Sequence, residues 1–219
     1  MRPPFSPLNL LLFVFVVVFL LVFLQVGLIS VAFDKLGLSQ SSAFLLLMLS
    51  LGGSMINLPL FSIRSEPPTT PPLLNDLWRI PMPPFTGRTL IAINAGGGLI
   101  PLAFSLYLLS HNPVPVYQAL LGIAAVATIS YALSRPIPGL GIGMPVFVAP
   151  ISAALIAVLL NPQQSAPLAY ISGTLGVLCG ADILRLKDIR HMGTPIAAIG
   201  GAGTFDGIFI TGIVAVLLA

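Results

Sequence analysis

Long apolar runs, separated by short stretches rich in proline, glycine or charge, set the pattern of this chain. A membrane-crossing helix needs about 20 mostly apolar residues to span roughly 30 Å of hydrocarbon. That rule predicts helices over 8–33, 41–63, 90–109, 116–134, 144–160, 167–186 and 195–219. The expected fold class is all-α, a polytopic transmembrane helical bundle of about seven spans. It would form a single integral membrane domain over 1–219. The first run is longer than a signal-peptide core and no small-x-small cleavage site follows it, so it is expected to stay in place as a signal anchor.

Composition points the same way. With 57% hydrophobic residues, 7% charged residues and a mean hydropathy of +1.06, an ordinary soluble domain is excluded. A net charge of +3 raises the question of nucleic acid, but the placement of the basic residues supplies a better reason. With the N-terminus inside, Arg2, Arg64, Arg79, Arg88, Arg135, Arg185, Lys187 and Arg190 all fall on the cytoplasmic side and Lys35 outside. The positive-inside rule then predicts an N-in/C-out chain with no nucleic-acid partner. The connections at 111–115 and 161–166 carry no Lys or Arg, as external turns should. Cys179 is the only cysteine, which excludes an intrachain disulfide, and its apolar setting suits packing rather than redox work.

The longest connection, 64–88, is a cytoplasmic proline-rich loop with Pro67, Pro68, Pro71, Pro72, Pro81, Pro83 and Pro84. Such a stretch favours extended polyproline II, with Trp78 and Phe85 placed for the lipid interface. Its two P-x-x-P patterns, Pro68 to Pro71 and Pro81 to Pro84, read either as a docking segment or, more simply, as a stiff linker. Farther on, a weak parallel repeat relates 112–160 to 161–219. Pro136-Ile137 with Gly139, Gly141 and Gly143 corresponds to Pro195-Ile196 with Gly200, Gly201 and Gly203, and Asn112-Pro113 and Asn161-Pro162 precede the two copies. A looser copy starts at Asn94-Ala95-Gly96-Gly97-Gly98. Each unit is expected to be an inward helix, a cytoplasmic turn and an outward helix entered through glycines.

Candidate chemistry rests on carboxylates inside apolar segments. Burying one costs at least roughly 2.5 to 3.5 kcal/mol on insertion scales, so Asp182 and Asp206 require a reason. Each has a structural explanation. Arg185, three residues after Asp182, offers an ion pair on the same helix face. Asp206 follows Thr204, a good N-cap, and falls in a first helical turn where the dipole favours negative charge. As a pair they offer more: two carboxylates at one depth share a proton and act as acid and base. Gly200, Gly201, Gly203 and Thr204 would supply an interrupted backbone facing a substrate, with Asn94 and Asn57 as further polar contacts. No metal site or cofactor is expected, since His111 and His191 fall on opposite sides without a Cys/His cluster.

Asp182 closing an inward helix, followed by Gly203-Thr204-Phe205-Asp206-Gly207-Ile208-Phe209, resembles the two aspartate motifs of the presenilin and signal-peptide-peptidase group of intramembrane aspartyl proteases. The resemblance covers 170–219 and implies a catalytic dyad acting on an unwound transmembrane helix. Phe205 stands where that group has glycine, Ala181 where it has an aromatic residue, and no Pro-Ala-Leu motif is present. A larger set of blocks resembles an uncharacterised group of bacterial and archaeal membrane proteins, known only as a domain of unknown function. These are Ser54-Met55-Ile56-Asn57-Leu58-Pro59, Asn94 to Gly98, Arg135-Pro136, Gly180-Ala181-Asp182 and Gly200 to Gly207. That resemblance implies a multi-pass protein of a prokaryotic plasma membrane and supplies no activity.

Three functions stay open. The first is a diaspartyl hydrolase using Asp182 and Asp206 on a transmembrane-helix substrate. The second is a proton- or cation-coupled transporter of a small solute, with Asp206 at the interrupted helices. The third is a non-catalytic membrane scaffold. Membrane lipids are partners in all three.

Overall fold

The computed structural model describes residues 26–67, 85–137, 141–201 and 207–219. Most of the expected first span, 8–25, and the greater part of the proline-rich loop lie outside the described residues. The fold is mostly helical. Helix α1 (Val26–Lys35) turns through 114° into α2 (Gln40–Gly53), whose N-cap Ser39 accepts from Ser42 N. After a strand hairpin come α3 (Ile100–His111), α4 (Val116–Leu133), α5 (Val148–Leu160), α6 (Ser165–Val177) and α7 (Gly207–Leu218).

Helix α6 is the hub, and α3, α4, α5 and α7 pack around it. In the segment containing it, Pro162–Ile183, 72% of the apolar window is buried, against 28% for α4, so α4 offers most of its surface to the surroundings. Small residues make this crowding possible. A side chain at Gly176 would strike Val126, one at Gly180 the backbone of Ala127, and one at Gly212 the ring of Tyr170. Close approach of backbones is the way helices associate where no water drives them together. Phe104 meets the Tyr170 ring edge-on at 4.9 Å, and Ser105 joins Thr174 at 3.0 Å, tying α3 to the hub.

The all-α expectation gives way at five short strands. β1 (Asn57–Arg64) pairs antiparallel with β2 (Arg88–Asn94), and β2 pairs in parallel with β5 (Ile196–Ile199), giving the order β1-β2-β5. β3 (Arg135–Ile137) and β4 (Gly141–Gly143) form a separate hairpin. Three of the expected helices are therefore too long as drawn. The run 41–63 is helical to Gly53 and then extended; 90–109 starts as a strand; 195–219 starts as β5. Hydropathy measures burial and not dihedral angles, so an apolar run reads alike as helix or buried strand. The local signals were Pro59 and the β-branched Thr89, Ile91 and Ile93, which favour the extended chain.

Two helical segments, Val116–Leu133 and Pro162–Ile183, are long and apolar enough to cross a membrane, and the bent α1–α2 pair makes a third if taken as one span. The helical segments Ala95–His111, Val148–Leu160 and Ile208–Leu218 are apolar but shorter. At 1.5 Å per residue, a helix as short as α5 or α7 extends only about 20 Å.

The two ends of the bundle differ in charge. At one, Lys35 Nζ donates to the carbonyls of Val216 (3.3 Å) and Leu217 (3.2 Å), Ser165 Oγ donates to Ala219 O (3.1 Å), and Asn161 bonds Gln118 (2.8 Å). At the other, Arg185 lies 4.3 Å from the Tyr131 ring centroid and donates to the Tyr131 and Ser134 carbonyls closing α4. There too Glu66 N donates to Arg190 O at 2.8 Å, which docks the β1–β2 hairpin beside the C-terminal end of α6.

Candidate functional site

The site is built on two places where helices lose their α register. The chain of α6 continues through a π turn, Leu178–Ile183, in which Leu184 N reaches back five residues to Cys179 O at 2.9 Å. A second π turn, Ala95–Leu99, opens α3, with Ile100 N bonded to Ala95 O. Such wide turns recur at functional sites because the extra residue redirects side chains. The first carries Asp182, and the second is the Gly96-Gly97-Gly98 cluster.

Gly200 joins them. Its N–H donates to Asp182 Oδ2 at 2.8 Å, and a Cβ on it would collide with the backbone of Gly97 and Gly98. Its φ of +81°, and the +88° of Gly201, lie in the left-handed region that glycine alone enters freely. Strand β5 thus ends at Ile199, Gly200 makes a turn, and α7 begins at Gly207. The helix expected to run up to these glycines is a strand instead, so at Gly200 and Gly201 the chain leaves a sheet and not a helix. Asp206, Gly203 and Thr204 lie outside the described residues.

Both flanks of that stretch rest on the Asp182 segment. Gly200 is bonded to the carboxylate, and Ile208 shares an apolar cluster with Val177, Leu178 and Ala181. The expected ion pair between Asp182 and Arg185 is replaced by another arrangement. The Arg185 guanidinium meets Asp188 at 2.8 Å and the C-terminal carbonyls of α4. The π turn accounts for this, because widening the helix rotates residues beyond it away from the i, i+3 alignment of a regular helix.

Asn94 and Asn57 come together, at 3.0 Å. Asn94 is 1% exposed; its amide donates to Ser54 O (2.7 Å) and Asn57 Oδ1, while its Oδ1 accepts from Gly97 N (2.8 Å). It fastens the end of α2, the start of β1 and the glycine π turn to one another. Asn94→Ala leaves Ser54 O and Gly97 N buried without that partner, at about 1–3 kcal/mol for each orphaned group. A fall in the detergent melting temperature of several degrees is expected, and an unchanged melt would show that the knot carries no stability.

The glycine clusters and Asp182 were legible in the sequence; the π turns and the Asn94 knot were not. Among the described residues there is no group of three or more His, Cys, Asp or Glu placed to hold a metal.

Residues 51–218 match the family described as Protein of unknown function (DUF1614). The match takes in β1, both π turns, Asp182 and Gly200. This chain belongs to that family. Comparison with curated proteins and with solved structures gives no match. In this DUF1614 protein α1 lies before the matched region, and every described site residue lies within it.

Proposed function

We propose that this protein is a multi-pass membrane hydrolase in which Asp182 and Asp206 form a proton-sharing dyad. The observation that carries the reading is the Gly200 N–H bonded to Asp182, with Ile208 packed in the same cluster as Ala181. The chain is held at the Asp182 segment on both sides of Asp206. Adjacent carboxylates do not both ionise easily, so one stays protonated to donate while the other accepts a proton from water attacking a peptide carbonyl. The substrate would be a transmembrane helix locally unwound at the site, and membrane lipids would surround the bundle. The test is cleavage of a reporter transmembrane helix in liposomes containing the purified full chain.

A transporter is the second reading, favoured by the contact between Gly200 and the Gly97–Gly98 backbone. Discontinuous helices meeting at depth are how many carriers form solute sites. Uptake by the same liposomes, without cleavage, would select it.

The proposed topology has about seven spans, N-in and C-out, in a prokaryotic plasma membrane. Its support is the basic end formed by Arg64, Arg88, Arg135, Lys187 and Arg190, opposite the end where Lys35 caps α7. In a Cys179→Ala background, Phe85→Cys is expected to react with a membrane-impermeant thiol reagent only from the cytoplasmic side, and His111→Cys only from outside. The reverse labelling would invert the topology.

A further inference from the structure

The antiparallel register of β1 and β2 sets Arg64 directly opposite Arg88, both exposed. Like charges opposite one another across a strand pair destabilise it. The arrangement is nevertheless held firmly. The adjoining Thr89 is fully buried, donating to Thr194 O at 2.6 Å and bonded to Ser65 at 2.7 Å, while Ser65 N reaches Gly87 O beyond the arginine pair at 3.1 Å. The described carboxylates are engaged elsewhere or distant: Glu66 faces His191 at 3.1 Å, Asp188 holds Arg185, Asp182 holds Gly200, and Asp34 is at the other end with Lys35.

We propose that Arg64 and Arg88 together bind the phosphate of an anionic membrane lipid at the cytoplasmic surface. Two guanidinium groups on one face present forked donors suited to phosphate oxygens. A lipid headgroup is favoured over a soluble anion by what lies beneath. Strand alternation places Ser62 and Leu90 on the same face as the arginine pair, Leu90 is 36% exposed, and the hairpin runs from there toward the bundle. The charged pair therefore sits above an apolar step, as a phosphate sits above its acyl chains. The opposite face, with Ile63 and Ile91, is packed on Ile189 and Met192. This inference rests on the proposed topology and not on the dyad.

The experiment is native mass spectrometry of the full chain from micelles doped with equal phosphatidylglycerol and phosphatidylcholine. Wild type is expected to retain phosphatidylglycerol preferentially, and R64Q/R88Q to lose about tenfold or more of that preference. The single variants R64Q and R88Q, each expected to lose part of it, keep the result readable if the double variant does not fold. R135Q is the control, since Arg135 is exposed opposite Gly143 rather than a second cation, and it should keep the preference. D182N should keep it too, which separates this inference from the hydrolase reading. Undiminished preference in the arginine variants, or an equal loss in R135Q, overturns the proposal. Displacement of the lipid by millimolar inorganic phosphate would overturn it in favour of a soluble anion.

Discussion

Asp182→Asn is expected to abolish cleavage of the reporter helix, by about a thousandfold or more, while leaving membrane insertion intact. Asn keeps the size and the acceptor for Gly200 N but cannot ionise, and it removes a charge that is costly in hydrocarbon. Asp206→Asn is expected to match it. The double variant should be no worse than either single, because groups acting as one unit lose their whole effect with the first deletion. Cleavage is read by gel shift of the reporter and insertion by protease protection. Full activity in either single variant eliminates the dyad. Loss of folding in both assigns the carboxylates to structure, with Asp182 holding the Gly200 turn.

Gly200→Ala is expected to destabilise the protein by roughly 2–4 kcal/mol, because two separate costs meet there. The first is the left-handed backbone, worth about 1–2 kcal/mol for a residue with a Cβ. The second is collision with the backbone of Gly97 and Gly98, which cannot swing aside as a side chain would. Gly37→Ala separates the two, since Gly37 has a φ of +73° and open space around its Cβ position. That variant should show only the backbone cost. Melting curves in detergent for the two proteins give the comparison, and equal losses would show that the close contact between glycine segments contributes nothing. Displacing Gly200 also removes its N–H from Asp182, so catalytic loss should accompany the stability loss.

The sequence by itself marked the long apolar segments and placed α4, α5 and α6 with its π turn to within a few residues. Those properties are local: hydropathy, length and the conformational freedom of glycine act within a short window. It also marked Asp182 as costly, because a carboxylate in an apolar run is visible without coordinates. Tertiary structure decided the rest. Asn57–Arg64 and Arg88–Asn94 are equally apolar as helix or strand, and only pairing across a long connection, with β5 added from a hundred residues farther along, satisfies their backbone as a sheet. Whether Asp182 meets Arg185 or Gly200 depended on a π turn, which appears when α6 widens where Gly180 lies against the Ala127 backbone. The contact of Gly200 with Gly97 and Gly98 joins segments about a hundred residues apart, and no periodicity in a sequence records which two gaps will fit each other.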